Sequence, residues 1–344
     1  MTSVTTPNTP PATIFGVQAS NSNLQLAAVL HGTGVARLED VGWVRVTGED
    51  RLRWLNGMAT NAVQQLAPNT GSYNFFLNAQ GRIQADGYIF AYPDELLIET
   101  SDQQVAGLIS YLDHYIIMDD VELIDVTESR HGTAVIGPTA PTLLSQVGLQ
   151  VEGIGDLETR AFVWNSVDVT VIHTHGPLVP RYELWVNAPQ AAAQLLDALK
   201  AAGSVPCEPS TLETLRILEG TPLYGTDIRD RDLPQETNQN RALHFAKGCY
   251  LGQEIVERIR SRGNVHRTFT AFRLEGSLPA TGTRLQSAGK QVGELTSVAS
   301  VPVEEGALQI ALGYVRREAL DRGESLQYAG GTASIATPYT AVKT

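Results

Sequence analysis

The order of apolar and polar positions divides the chain into short segments of mixed type. Trp43-Val44-Arg45-Val46 alternates as a half-buried strand does, and 49–56 then reads as a helix with Leu52 and Leu55 on one side. A meander follows, with strands over 73–77, 82–90 and 96–100 separated by the turn clusters Asn78-Ala79-Gln80-Gly81 and Tyr92-Pro93-Asp94. The clearest helix spans 102–115. Val105, Leu108, Ile109 and Leu112 recur there at i, i+3, i+4 and i+7, and Ser101 or Asp102 can cap it. A strand over 121–126 comes next. Beyond it the pattern predicts strands at 133–136, 162–173 and 182–186, a short helix at 139–146, and an alanine-rich helix at 188–202 that stops at Gly203. After His266 helical periodicity thins. Alternating segments over 267–274, 291–297 and 308–315, broken by Gly and Pro, predict a separate small β domain. Strands and helices mix without strict βαβ alternation before that, so the fold class is α+β rather than a doubly wound parallel sheet.

Length and charge narrow the function classes. A chain of 344 residues is long enough for two or three domains, and 42% hydrophobic against 18% charged residues is a globular balance. Residues 1–13, rich in Thr and Pro, read as a disordered leader without the charged and apolar regions of a secretory signal. The net charge of −12 argues against a protein whose main task is binding nucleic acid or an anionic membrane. No apolar run approaches the roughly 18 residues of a membrane-spanning helix. Cys207 and Cys249 form no C-x-x-C and no disulfide framework, so a reducing, cytoplasmic setting is expected.

Several weak signals have bland explanations. Gly32-Thr33-Gly34 lacks the third glycine of a dinucleotide fingerprint. His173 and His175 would share one face of a strand but have no third ligand nearby in sequence, which favours surface or edge-strand histidines over a metal site. Asp227, Asp230, Asp232 and Glu236 interleave with Arg229 and Arg231, a pattern of internal ion pairing. The stretch from Arg241 to Arg273 stands apart. It carries seven cations against Glu254 and Glu257 in an otherwise acidic chain, a plausible docking place for a small anion. Inside it, Lys247-Gly248-Cys249-Tyr250-Leu251-Gly252-Gln253-Glu254 precedes an amphipathic run with Ile255, Val256 and Ile259 on one face. A thiol near a helix N-terminus and a lysine is drawn toward thiolate, whereas a buried Cys acts as an inert small hydrophobe; both readings of Cys249 stay open.

The Lys247–Glu254 block, followed by Arg258 and Arg262-Gly263-Asn264, closely resembles the signature of the YgfZ family of folate-binding proteins that support iron–sulfur cluster assembly or repair. The resemblance extends to Asn78-Ala79-Gln80-Gly81-Arg82-Ile83. It includes a central block at Leu215-Arg216, Gly220, Tyr224-Gly225, Asp227 and Leu233-Pro234-Gln235-Glu236, and then residues 293–315. The related T-protein is the aminomethyltransferase of glycine cleavage. The resemblance implies its architecture: two interleaved α/β lobes, about 14–130 and 131–265, and a C-terminal β-barrel domain over 266–344, around a central folate channel. Two departures separate this chain from the T-protein. Gln84-Ala85-Asp86 keeps one of its paired acids, and Val179 stands where its pterin-holding glutamate belongs. A pterin edge presents an N–H and an amino group side by side, a match for a carboxylate's two oxygens, so the loss matters.

The expected function is therefore a tetrahydrofolate-binding accessory protein for iron–sulfur proteins or their assembly factors. Cys249 would be its functional thiol, with Lys247, Tyr250 and Arg258 shaping the surroundings. Arg258 and Arg216 are the candidates for folate's carboxylate tail, Tyr250 for stacking, and Asp86 for the ring. One motif thiol cannot hold a cluster alone, because clusters are usually held by four, so a partner must supply the other ligands or the thiol must act transiently. The alternative is a folate-dependent aminomethyltransferase or demethylase using Asp86.

Overall fold

The computed structural model describes residues 21–263, 265–303, 306–323 and 325–338, so the leader over 1–13 and Asn264 lie outside the described residues. The chain opens with α1 (Asn21–His31) and β1 (Gly34–Leu38). It continues through β2 (Val41–Thr47), α2 (Arg51–Met58), β3 (Thr70–Leu77), β4 (Ile83–Ala91), β5 (Leu96–Ser101), α3 (Asp102–Asp113) and β6 (Glu122–Asp125). Next come β7 (His131–Ile136), α4 (Ala140–Gln146), β8 (Thr159–Trp164), β9 (Val167–Thr174), β10 (Arg181–Val186), α5 (Pro189–Ala201), β11 (Val205–Pro206), α6 (Pro209–Glu219) and α7 (Gln253–Arg262). The last third holds β12 (Arg267–Gly276), β13 (Arg284–Ser287), β14 (Lys290–Val303), β15 (Gly306–Arg316), α8 (Arg317–Asp321), β16 (Leu326–Tyr328) and β17 (Gly331–Ala336).

Three sheets result. One has the order β3-β4-β5-β2-β6, the second β11-β1-β7-β10-β9-β8, and the third closes as a barrel, β12-β15-β14-β13-β16-β17. The lobes are interleaved: β1 precedes the whole first sheet in sequence yet pairs with β7 over Gly34–Leu38. The two open sheets pack through one apolar layer of Trp43, Phe90, Leu97, Ile172 and Trp185. Each also packs helices on its outer side, α2 and α3 on the first and α4 and α5 on the second.

α1, β1 and α6 have no counterpart in the sequence reading, and one strand and one charged stretch differ from it in detail. The strand expected over 162–173 is a hairpin of β8 and β9, because Asn165 and Ser166 both take positive φ (47° and 67°), the left-handed pair that a tight hairpin turn needs. β9 lies between β10 and β8, so His173 is not on an edge strand. Its ring stacks on Tyr182 at 4.7 Å, and its Nδ1 lies 3.0 Å from the Ile154 carbonyl. The acidic–basic stretch is paired, as its composition suggests, but with distant partners. Asp227 meets Arg216, Asp232 and Glu236 meet Arg267, and Arg229 and Arg231 meet Glu294.

Candidate functional site

The blocks that carry the family resemblance pack directly on one another. Asn78 Oδ1 accepts the N–H groups of Gln80 (3.0 Å) and Arg82 (2.9 Å), fixing a tight turn between β3 and β4. Gly81 sits there at φ +70°, and a Cβ on it would lie 2.8 Å from Ile255 Cβ. Gly252, at φ +82° just before α7, would place a Cβ 2.6 Å from the Asn78 carbonyl oxygen. Both positions demand glycine, in conformation and in space. The central block joins them: Ile83 N–H donates to the Asp232 carbonyl (3.1 Å), and Gln235 Nε2 to that of Val256 (2.9 Å).

Within this assembly Lys247 is buried. Its ammonium donates to the carbonyls of Asn56, Ala59 and Asn61, each at 2.6 Å, and so closes the C-terminal end of α2. Burial draws its pKa down to about 8. The three acceptors work the other way, holding the charged form. The Tyr250 ring lies 5.0 Å from Lys247 Nζ and packs with Tyr73, Phe75, Leu77, Ile83 and Val256, its hydroxyl pushed up to about 12 by burial. Cys249 is exposed, three residues ahead of the Gly252 cap. Arg258 is exposed on α7. Arg216 is engaged elsewhere, bridging Asp227 (2.7 Å), the Thr221 carbonyl (2.6 Å) and Ser297 (2.9 Å) at the junction with the barrel. Cys207 is half-buried, its thiol pushed up to about 11 by burial.

A second cluster lies where the two open sheets face each other. Register sets Trp43 opposite Glu99, Glu99 opposite Tyr88, and Tyr88 opposite Tyr73, one row across β2, β5, β4 and β3. Alternation along β4 adds Asp86 to the same face. Tyr73 donates its hydroxyl to Asp86 Oδ2 (2.5 Å), and Gln104 Nε2 donates to Oδ1 (3.1 Å). The Arg241 guanidinium stands 4.1 Å from the centre of the Tyr73 ring and donates to Tyr88 Oη at 2.9 Å. Burial raises the Asp86 pKa, against the pull of Tyr73, Gln104 and Arg241. His175, just past β9, is held down to about 4 by burial and by Arg241.

From the opposing sheet come Glu183 and Trp185 of β10. Trp185 meets Trp43 edge-on at 5.0 Å, its Nε1 donates to Glu183 Oε2 at 2.9 Å, and Arg130 lies 4.4 Å over the Trp43 ring. Glu99 and Glu183 are both 7% exposed and adjacent, and burial raises both pKa values. Val179 is turned into the apolar core with Leu215, Ile217 and Leu218, so the loop before β10 offers no carboxylate there.

Of the residues singled out from sequence, the structure brings Lys247, Cys249 and Tyr250 into one block and sets Asp86 in the inter-sheet cluster. The aromatic core containing both Tyr250 and Tyr73 lies between them. Arg216 and Arg258 join neither cluster. Sequence reasoning missed Tyr73, Tyr88, Glu99, Glu183 and, as a site residue, Arg241. The available signal was an acid or tyrosine at an inward position of an apolar strand. Among the described residues no three His, Cys, Asp or Glu are grouped to hold a metal, and no helix is long and apolar enough to cross a membrane.

The inter-sheet cluster sets aromatic rings beside buried acids and one guanidinium. Comparison with known proteins agrees in family. Residues 18–247 match the GCVT N-terminal domain, and 267–342 match the C-terminal β-barrel domain of CAF17. A chloroplastic protein of Arabidopsis thaliana, named a candidate transferase, is 26% identical over 93% of this chain and 74% of its own length. An aminomethyltransferase of Nostoc sp. is 25% identical over 90% of this chain and 84% of its own. The glycine cleavage system aminomethyltransferase T of Bartonella henselae superposes with a TM-score of 0.82 at 16% identity, covering 93% of this chain and 89% of that one. The chain has the T-protein fold and belongs to the GCVT family, with a CAF17-type β-barrel at its C-terminal end.

Proposed function

We propose that this chain is a tetrahydrofolate-binding accessory protein of the YgfZ kind, serving iron–sulfur proteins through the Cys249 thiol. The observation that carries the reading is the placement of that thiol. It is exposed on a turn that the close packing of Gly252 and Gly81 and the hydrogen bonds of Lys247 anchor to its neighbours, and one aromatic core separates the turn from the inter-sheet cluster. Reduced folate suits that cluster. Asp86 and the Glu99–Glu183 pair accept N–H groups, Tyr73 and Tyr88 give aromatic surface, and Arg258, exposed on α7 outside the cluster, is assigned to the carboxylate tail. A surface thiol can meet a partner protein that brings the remaining cluster ligands. The test is complementation of a strain lacking its own copy. The wild-type chain is expected to restore an iron–sulfur enzyme, and Cys249→Ala is not; full restoration by the variant overturns the role given to the thiol.

A second reading has one observation in its favour. Asp86 is an acid with a raised pKa, held by Tyr73 and Gln104, the setting of a general base for one-carbon transfer. The missing acids at Ala85 and Val179 weigh against it. Turnover in a glycine-cleavage reconstitution, with this chain replacing the T-protein, would put it first.

A further inference from the structure

Strand register concentrates positive charge at one mouth of the barrel. Arg267 opens β12 and Arg316 closes β15, and the two stand directly opposite in the antiparallel pair. Like charges in that position cost stability unless each is answered. Arg267 is answered by Asp232 and Glu236, and its guanidinium lies 4.5 Å from the centre of the Tyr314 ring. Arg316 is exposed, and among the described residues no side chain pairs with it. Arg317 comes next, its backbone N–H donating to the His266 carbonyl at 3.0 Å.

A cleft of about 820 Å³ opens beside this pair, between the turn at Pro234–Glu236, the start of β12 and α8. That volume is the size of a small-molecule site. Arg267, Arg316, Arg317 and Arg322 all line it. Three acids line it too, but Glu236 is held by Arg267 and Glu318 by Arg322, which leaves Asp321. The cleft is therefore cationic in a chain of net charge −12, and the local field decides what binds there.

We propose that this cleft binds a small molecule carrying a diphosphate group, with Arg316 taking its oxygens. Arg267, fixed by its two acids and by Tyr314, forms the wall behind, and Arg317 and Arg322 add their charge from α8 and its end. A planar guanidinium meets phosphate oxygens two at a time, and a diphosphate answers several such groups at once. The arginines crowd one mouth of the barrel instead of running along a groove, which favours a compact anion over an extended acidic peptide. None of the lining residues belongs to the inter-sheet cluster or to the Lys247–Glu254 block, so the site is independent of the folate reading.

Calorimetry on the full chain tests this, with inorganic phosphate, pyrophosphate and a short aspartate-rich peptide as probes at low salt. Pyrophosphate is expected to bind more tightly than phosphate, to weaken as salt rises, and to raise the wild-type melting temperature. Arg316→Gln is expected to weaken pyrophosphate by about tenfold, and Arg316→Glu to abolish binding. Arg273→Gln removes the same charge from an exposed barrel position outside the cleft and should leave binding nearly unchanged. A thermal melt without ligand shows that each variant is folded. Absence of pyrophosphate binding by the wild type overturns the inference. Equal losses in Arg316→Gln and Arg273→Gln overturn it as well, since binding would then follow overall charge and not the cleft. Tighter binding of the peptide than of pyrophosphate, lost in Arg316→Gln, overturns the small-molecule assignment and makes the cleft a docking face for an acidic protein segment.

Discussion

The block around Cys249 and the layer between the sheets are both polar, but they are built on opposite terms. In the first, the strong polar groups are answered locally, the buried Gln235 Oε1 excepted. Lys247 has three carbonyls, Asn78 caps its own turn, and the two glycines sit where no side chain fits. The one reactive group left over, the Cys249 thiol, faces solvent. In the second, Asp86, Glu183 and Arg241 find partners, while Trp43 Nε1, Arg130 Nε and Arg181 Nε are buried without one. The contrast separates a locally satisfied platform that presents a thiol outward from a buried layer whose polar groups are only partly paired. Stability should concentrate in the platform and ligand sensitivity in the layer, and the two can be perturbed separately.

The largest effect is expected at Lys247. Lys247→Met keeps the stem but leaves the three carbonyls without their donor. With hydrogen bonds to a charged group worth about 1.5–3 kcal/mol each, a loss of about 3 kcal/mol or more is expected in urea unfolding. A Lys247→Met chain of wild-type stability that fails only in complementation would show that the lysine acts on the thiol and not on the fold. Gly252→Ala follows. The new Cβ would sit 2.6 Å from the Asn78 oxygen at φ +82°, which should cost about 1–3 kcal/mol and shift the Asn78 turn that it touches. A silent substitution there would mean that the motif glycine is not a packing requirement.

How legible these regions were follows from the same contrast. The platform was readable because its constraints are local: a glycine before a helix, an Asn-x-x-Gly turn and a lysine two residues from a cysteine are visible along the chain. What the sequence hid was direction. Lys247 and Cys249 are neighbours in sequence, yet one ammonium is buried among carbonyls while the thiol faces water. The layer was nearly illegible. Nothing in the sequence states that β5 pairs with β4 so that Glu99 meets Tyr88, or that β10 then packs Glu183 against Glu99. α1 and β1 were missed because β1 belongs to a sheet whose other strands begin about a hundred residues later. The barrel was read from alternation and Gly/Pro breaks, and its closure comes from β17 pairing back onto β12.

The layer should also respond to pH. Glu183 rises from an unfolded value of 4.5 to about 7 through burial, and Glu99 rises too. A raised carboxyl favours the fold while protonated, so its contribution is full below the unfolded value and is lost as pH climbs through the folded one. His175 works in the opposite sense. Lowered from 6.5 to about 4, it favours the fold above 6.5 and is lost as pH falls toward 4. Two raised carboxyls oppose one lowered imidazole over the same window, so the melting temperature should show a net decline from mildly acid to neutral pH, by about 2–4 °C for each kcal/mol by which the pair outweighs His175. Glu99→Gln should flatten that decline, and a decline unchanged in the variant would remove the pair as its source.

The smallest effect on stability is expected at the residue with the largest assigned role. Cys249 is exposed and its thiol packs into no described apolar cluster, so Cys249→Ala should cost about 0.5 kcal/mol or less. Cys207 offers the internal comparison. It is half-buried against the core of α6 and the barrel, its thiol lies 3.3 Å from the Val205 carbonyl, and burial pushes its pKa up to about 11. A thiol held protonated is a poor nucleophile, whereas an exposed one is open to attack. Under native conditions a soluble thiol reagent should therefore label Cys249 well before Cys207, with both labelled after unfolding. Gly252 packs on the Asn78 turn and not on the inter-sheet cluster, so the same order should hold with and without reduced folate. Equal labelling rates in the folded chain would mean that the turn opens freely, and the platform would lose its meaning as a presenter of the thiol.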